Sequence, residues 1–178
     1  MPYQIIFLGV QGANAISQKN GNSAGIVLVL GDYQIVIDPG AGTIQKANQY
    51  NVPLSHTNLV LVSHNHLSHC NDLNLLVESI THSGLENRGI LIASNSVISG
   101  TDSEGPYLTN NHRKYLKKHI SVSSGDEITF DDLRIKAIKT KHSEPKAVGF
   151  KIYTEKFVLT YTCLLYTSPS PRDRTRSR

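Results

Sequence analysis

The stretch that decides the fold reads Leu59-Val60-Leu61-Val62-Ser63-His64-Asn65-His66-Leu67-Ser68-His69, an apolar run followed at once by three histidines within six residues. The apolar run predicts a buried strand over residues 58–62. A neutral imidazole has two polar ring nitrogens, and each needs a partner once it is buried. Packing alone therefore explains the cluster poorly, and the three histidines indicate metal ligands.

The spacing of the histidines favours a shared metal ion. His64 and His66 are two residues apart, and alternate side chains of an extended chain project to the same side. His69 lies three residues further on, about one helical turn away, and would face a neighbouring position. Zinc in catalytic sites commonly takes three protein ligands and keeps one position for water. The alternative is a histidine-rich surface loop in which Ser68 caps the following helix.

Strands precede and follow the cluster, with a helix directly behind it. The other predicted strands are residues 3–10, 25–30, 34–37, 89–93, 120–122, 128–130, 133–138, 148–153 and 157–161. Helices are predicted for residues 43–50 and 72–82, residues 95–111 are predicted to be irregular, and the basic segment 112–119 is predicted to be helical. This order predicts a layered α/β or α+β protein with one domain.

Two more side chains stand where a predicted strand ends. Asp38 precedes Pro39, which offers no N–H to a sheet, so the carboxylate is left at the carboxyl end of its strand. Taken alone, Asp38 is better explained as a residue that serves the turn or caps the next helix. His142 follows another strand in a loop, and a lone loop histidine is ordinarily solvated. Beside an incomplete metal site elsewhere in the chain, His142 becomes a candidate ligand.

Taken together, these motifs resemble those of the metallo-β-lactamase superfamily. The matching segments are Ile37-Asp38-Pro39-Gly40, the stretch from Ser63 to His69, His142 leading to Gly149-Phe150-Lys151-Ile152, and Val158-Leu159-Thr160-Tyr161-Thr162. The last two are most similar to ribonuclease Z-like members, and the resemblance covers nearly all of residues 1–162. It implies an αββα sandwich of the α/β (α+β) class, with a metal site at the edge of its two sheets.

The resemblance also implies a ligand set and an activity. His64, His66 and His142 would hold a first Zn²⁺, His69 would contribute to a second, and Asp38 would brace the histidine loop. The activity implied is hydrolysis of a phosphodiester, in a small molecule or a nucleic acid, by zinc-activated water. The alternatives are a thioester or lactone hydrolase of the same fold, and a non-catalytic descendant that binds a metal or another ligand.

Two departures from the family pattern affect the second metal site. The family has an aspartate immediately before its third histidine, where this chain has Ser68, and a neutral hydroxyl is a poor zinc ligand. Family members continue after the Tyr161-Thr162 position with Gly-Asp-Thr, whose aspartate bridges both metals, and later supply another histidine. Here Cys163 follows instead. We therefore expect an incomplete second half and a chain that is inactive or nearly so.

The last part of the chain differs in character from the rest. Residues 163–178 show no apolar period, contain four arginines and one aspartate, and resemble the translation of a sequencing adapter. We expect residues 1–162 to be the N-terminal portion of the domain and residues 163–178 to be a non-native, disordered tail. The alternative is a genuine basic tail that binds nucleic acid or a kinase. Without the tail the formal net charge falls from +4 to +1, so charge alone does not indicate a nucleic-acid-binding protein.

Cysteine content and hydropathy give an expectation for the compartment. Outside the tail, Cys70 is the single cysteine, so no disulfide framework is expected, in keeping with a reducing compartment. The chain begins without a basic leader, and no apolar run approaches the roughly 20 residues that a membrane span needs. These features predict a cytoplasmic protein that does not insert into a membrane.

Overall fold

The computed structural model of the chain describes residues 3–9 and 25–163. The strands are β1 (Tyr3–Phe7), β2 (Ile26–Leu30), β3 (Tyr33–Ile37), β4 (Leu59–Val62), β5 (Arg88–Ser94), β6 (Leu116–Val122), β7 (Glu127–Phe130), β8 (Leu133–Lys139), β9 (Val148–Tyr153) and β10 (Val158–Tyr161). The helices are α1 (Thr43–Gln49), α2 (Leu67–Cys70), α3 (Leu73–Thr81), α4 (Asn95–Ile98) and α5 (Asn110–Tyr115), with a 3₁₀ turn at Leu54–His56. Within these ranges no helix has the length and apolar character needed to cross a membrane.

The strands form two sheets. The larger has the order β1-β2-β3-β4-β5-β6, antiparallel from β1 to β3 and parallel from β3 to β6. The smaller has the order β10-β9-β8-β7 and is antiparallel throughout. Because β3 to β6 run parallel, their carboxyl ends meet at one edge of the larger sheet. Asp38 and the histidine cluster both lie at this edge.

Two apolar cores separate three layers. Along β4, Val60 and Val62 belong to the core beneath the helices, whereas Leu59 and Leu61 belong to the core between the sheets. Burial on both faces explains why the sequence of this strand is continuously apolar rather than alternating. The mixed α/β sandwich predicted from the sequence is confirmed, with the helix, sheet and sheet layers within the described residues.

The structure corrects the sequence prediction between residues 95 and 122. The segment predicted to be irregular begins with α4, and α5 starts at Asn110. The helical prediction for residues 112–119 is wrong from Leu116 onward, where β6 begins. Lys117, Lys118 and His119 give no apolar alternation, but pairing with β5 holds them extended, and exposed charged residues are typical of an edge strand. Residue 10 of the first predicted strand, and the predicted tail from residue 164 onward, lie outside the described residues.

Gly149 marks a close approach between β9 and β10. An added Cβ at this position would lie 2.6 Å from the Tyr161 carbonyl oxygen, 3.0 Å from Ile138 Cγ1 and 3.2 Å from Thr162 Cα. A side chain at Gly149 would therefore displace the end of β10.

We expect Gly149→Ala to lower the free energy of unfolding by about 1–3 kcal/mol, because the new methyl group overlaps the backbone of β10. Urea unfolding followed by circular dichroism measures the change. Gly105→Ala is the matched control, since an added Cβ at Gly105 meets nothing within 4 Å. Equal unfolding midpoints for the two variants would contradict the prediction.

Candidate metal centre

Three of the predicted ligands converge at the carboxyl end of β4. The Nε2 atom of His64 and the Nδ1 atom of His66 are 3.0 Å apart. The ring centroid of His142 is 4.2 Å from that of His64 and 5.0 Å from that of His66. One ring nitrogen of each histidine lies within 4.8 Å of the other two. Nitrogens around a tetrahedral zinc ion are about 3.3 Å apart for bonds of 2.0–2.1 Å, so this donor set fits one divalent metal ion.

His142 is the candidate ligand whose hydrogen bond conflicts with metal binding. It lies in the loop between β8 and β9, where the Glu144 N–H donates to its Nδ1 at 2.9 Å. If Nδ1 binds the metal, its lone pair is no longer available to the amide. If Nε2 binds the metal, Nδ1 carries the proton and cannot accept. Either mode of ligation therefore breaks the contact with Glu144.

His69 lies beside this group of three and belongs to a second cluster. Its ring centroid is 4.3 Å from that of His64, and His64, His69 and Cys163 form another group whose ligand atoms lie within 4.8 Å of one another. The Cys163 Sγ atom is 3.6 Å from His64 Nδ1 and 3.3 Å from Ser63 Oγ. His64 thus faces His66 with one ring nitrogen and Cys163 with the other.

The buried carboxylate of Asp38 connects the histidine loop to both sheets. Its Oδ1 accepts the Ser63 N–H at 2.7 Å, and its Oδ2 accepts from Ser63 Oγ at 2.7 Å, His69 Nδ1 at 2.8 Å and the Tyr161 hydroxyl at 2.5 Å. The predicted contact between Asp38 and the histidine loop is confirmed. Because His69 donates through Nδ1, its Nε2 keeps a lone pair for a metal.

Asp38 also reaches His64 through Ser63. The Ser63 hydroxyl gives its proton to Asp38 and lies 2.9 Å from His64 Nδ1, so it accepts from that nitrogen. The tautomer that results leaves the lone pair of His64 on Nε2, the atom that faces His66. One carboxylate therefore orients two of the four predicted ligands.

The backbone conformation at Asp38 directs this carboxylate toward the histidine loop. Asp38 has a φ of 49°, in the left-handed region that aspartate tolerates better than most residues, and its N–H donates to the Leu61 carbonyl at 2.8 Å. Gly25 lies beneath, where a Cβ would come within 2.3 Å of the Ile37 carbonyl oxygen. Only glycine fits at that position while the end of β3 keeps its path.

Burial sets the protonation states at this centre. Burial, together with the smaller effects of the neighbouring His69, His142 and His66, lowers the pKa of His64 to about 2. Burial also lowers the pKa of His142, with His66 and His69 acting in the same direction and Glu144 opposing them. These two rings are therefore neutral near pH 7, the form that binds metals. Burial and the charge of Asp38 raise the pKa of Tyr161 well above 10, so its hydroxyl remains a donor.

Ser68 and Cys70 lie close to the histidines but belong to neither group of potential ligands. Ser68 is buried inside α2, and within the described residues its hydroxyl has no hydrogen-bond partner. The alternative in which Ser68 caps the following helix is wrong, because the N-cap residues of α2 and α3 are His66 and Asp72. The Cys70 thiol donates to the carbonyls of Asn65 and His66, and burial raises its pKa, so it is a structural thiol.

A cleft of about 490 Å³ opens beside His66. Loop residues 101–104 and 143–146 form its walls, and Asn65 Nδ2 donates to Glu104 Oε2 at 2.9 Å. The side chains of Ser63, Glu144 and Tyr161 were not singled out from the sequence. Ser63 adjoins His64 in the sequence. Tyr161 lies in a segment that resembles the family, but it is 123 residues from Asp38, so its contact with that carboxylate could not be predicted.

Comparison with known proteins agrees with this geometry. A family model described as the Beta-lactamase superfamily domain matches residues 33–163. With its histidine centre and layered sheets, the chain belongs to the metallo-β-lactamase superfamily, whose members include metal-dependent hydrolases. An uncharacterized protein of Methanocaldococcus jannaschii is 31% identical over 164 residues, which are 91% of this chain and 61% of that protein. A ribonuclease Z of Methanopyrus kandleri is 27% identical over 153 residues, which are 84% of this chain and 50% of that protein.

A solved structure supports the fold. The metallo-β-lactamase fold protein YhfI of Bacillus subtilis has a TM-score of 0.71 at 21% identity, covering 89% of this chain and 61% of that one. The chain thus spans 50–61% of the length of the two curated relatives that it matches.

We expect Asp38→Asn to lower the free energy of unfolding by about 2–4 kcal/mol. Asparagine tolerates the same φ, but its amide keeps one acceptor oxygen and turns two N–H donors toward groups that also donate. Tyr161→Phe removes one of the four hydrogen bonds, so we expect a smaller loss of about 1–2 kcal/mol. Urea unfolding in EDTA measures both values without a metal contribution. A loss for Asp38→Asn no larger than that for Tyr161→Phe would contradict this account.

Proposed function

We propose that the protein is a metal-dependent hydrolase of phosphodiesters and that zinc is its metal. The observation that carries the proposal is the convergence of ring nitrogens from His64, His66 and His142, two of which are only 3.0 Å apart. The imidazoles of His64 and His142 are neutral near pH 7 and lie beside that of His66. Such a set of nitrogen donors suits a borderline metal such as zinc. The ribonuclease Z of Methanopyrus kandleri among the relatives supports a phosphodiester substrate.

The chain's own residues would position the reacting groups. A bound zinc ion would supply an activated water and compensate the negative charge that develops on the phosphoryl oxygens. Asp38 fixes the tautomers of His64 and His69, so their Nε2 atoms are held ready for ligation. The cleft beside His66 gives a substrate access from the side of loops 101–104 and 143–146.

Within the described residues the structure contains two groups of potential ligands, and His64 belongs to both. We propose that His64, His66 and His142 form the site that fills first, because His64 keeps its contact with Ser63 when it binds through Nε2. Binding in the cluster with Cys163 through Nδ1 would instead remove that contact. His69 then lies at a second site where Ser68 offers no carboxylate.

We expect the purified, dialysed chain to hold about one zinc ion, and His66→Ala to lose it. His69→Ala and Cys163→Ser are expected to retain it, because both residues lie outside the first group. Mass spectrometry of the metal content measures this, and His119→Ala, an exposed histidine on β6, is the matched control. Zinc lost from His69→Ala but kept by His66→Ala would place the metal in the cluster with Cys163 and overturn the assignment.

Ser68 favours a second candidate function, a protein that binds one metal ion without catalysis. Within residues 3–9 and 25–163 the Ser68 hydroxyl has no hydrogen-bond partner, and Ser68 precedes His69, where a carboxylate would complete a pair of ligands. On this candidate, the chain should bind zinc and hydrolyse neither phosphodiesters nor acyl compounds.

We expect Ser68→Asp to raise zinc content above one ion per chain and to raise zinc-dependent hydrolysis of bis-p-nitrophenyl phosphate at least roughly tenfold over the parent chain. Ser68→Asn is the matched control, because it has a similar size and no charge. Thioester and lactone substrates assayed in parallel test the acyl hydrolase alternative. Rapid turnover by the parent chain would refute the argument from Ser68, and a zinc content that stays at one ion per chain in Ser68→Asp would favour the metal-binding protein.

A further inference from the structure

Glu144 follows His142 in the loop between β8 and β9, and its carboxylate is buried. Only 8% of the residue is exposed. Its Oε1 accepts the Lys146 N–H at 2.9 Å, and its Oε2 accepts from the Ser96 hydroxyl at 3.3 Å. A carboxylate is costly to bury, and an exposed polar side chain would serve a turn at lower cost. The burial of this charge therefore indicates a role beyond the turn.

The contact with Ser96 connects this loop to the larger sheet. Ser96 lies in α4, and its hydroxyl is 2.9 Å from that of Ser94, the N-cap residue of α4 at the end of β5. Both serines are fully buried. An ionised carboxylate can only accept, so Ser96 donates to Glu144 and Ser94 donates to Ser96. Two buried hydroxyls thus form a chain of hydrogen bonds that ends on the carboxylate beside His142.

Glu144 contacts both the ring of His142 and the element behind the loop. Its N–H donates to His142 Nδ1 at 2.9 Å, the contact that ligation breaks. Its carboxylate contact with Ser96 involves no atom of the ring, so it can limit the movement of the loop while the ring turns. Further along the loop, Lys146 Nζ donates to the Gly100 carbonyl at 3.3 Å.

We propose that Glu144 is a positioning residue for His142: its carboxylate, held by Ser96, keeps the loop in place so that the His142 ring stays beside His64. The inference rests on the proposed function, because His142 is a ligand of the proposed metal. Asp38 orients His64 directly from the other side of the centre, through Ser63. Glu144 has the corresponding role for the ligand that Asp38 does not reach.

The first test follows the His142 ring by NMR in the full chain in EDTA, with no metal present. The ring lies 4.2 Å from that of His64 and 5.0 Å from that of His66 between centroids, so ring currents shift its resonances. We expect Glu144→Ala to move the His142 resonances toward those of a solvated histidine. Ser96→Ala leaves the loop sequence intact and should move them in the same direction, by less.

Two variants serve as controls. Glu144→Gln should leave the His142 resonances in place, because its side-chain oxygen can accept the Lys146 N–H and its amide group can donate to the Ser96 hydroxyl. Glu78→Ala is the matched control, since Glu78 accepts from another histidine, His112, at 3.0 Å. It should move the His112 resonances and leave those of His142 unchanged.

The second test measures metal binding by titration with Co²⁺, followed by visible absorption. Residues that orient metal ligands typically contribute roughly 10–100-fold to affinity, so we expect Glu144→Ala to weaken cobalt binding at least roughly tenfold. Its absorption should also be weaker, because tetrahedral cobalt absorbs more strongly than cobalt with additional water ligands. Glu144→Gln and Glu78→Ala should match the parent chain in both respects.

The two tests separate failure of this inference from failure of the proposed function. Unchanged His142 resonances in Glu144→Ala and Ser96→Ala, or a cobalt affinity of Glu144→Ala equal to that of the parent chain, would overturn the positioning role. An equal displacement of the ring in Glu144→Gln and Glu144→Ala would also overturn it, because the hydrogen bonds would then not be the cause. A parent chain that binds no cobalt would refute the proposed function, while the resonances in EDTA would still decide whether Glu144 positions His142.

Discussion

The carboxylate of Asp38 is the interaction on which the rest of the centre depends. It accepts four hydrogen bonds, two from Ser63 and one each from His69 and Tyr161. These donors come from the loop after β4, from α2 and from β10, so a single buried charge connects the two sheets. A buried carboxylate that loses such donors costs several kcal/mol. The same hydrogen bonds therefore close this edge of the sandwich and orient the histidine rings.

Strand register brings the groups of this centre together. Ile37 pairs with Leu61 across the parallel strands β3 and β4, and the Asp38 N–H continues the pairing to the Leu61 carbonyl. A shift of one residue would turn the side chains of β4 to the opposite faces of the sheet and exchange the two cores. On the other sheet, the Val148 N–H donates to the Ser63 carbonyl at 3.1 Å, which connects β9 to the same loop. The apolar pattern that builds the cores thus also places the candidate ligands.

The sequence predicted those parts of the molecule whose cause is local. The buried strand before the histidines, the hairpin of β2 and β3, and the bounds of β9 follow from apolar runs and turn residues. Residues 116–119 were mistaken for helix because their extended form comes from pairing with β5, which leaves no trace in a run of basic residues. Asp38 alone was ambiguous for a similar reason. A turn residue and a residue that holds a distant histidine look alike until the fold brings Tyr161 and His69 to the same carboxylate.

The predicted ligands are not equally prepared for a metal. Asp38 holds His69 directly and His64 through Ser63, so both rings already present a lone pair, and little free energy is spent in orienting them. His142 is held by the Glu144 amide in a contact that ligation must break. Glu144 in turn accepts from the Lys146 N–H and from the Ser96 hydroxyl, so turning His142 would disturb the hydrogen bonds of the loop between β8 and β9. Within the first group of candidate ligands, His64 is therefore the oriented partner of His66, and His142 is the one whose contacts must change if a metal binds.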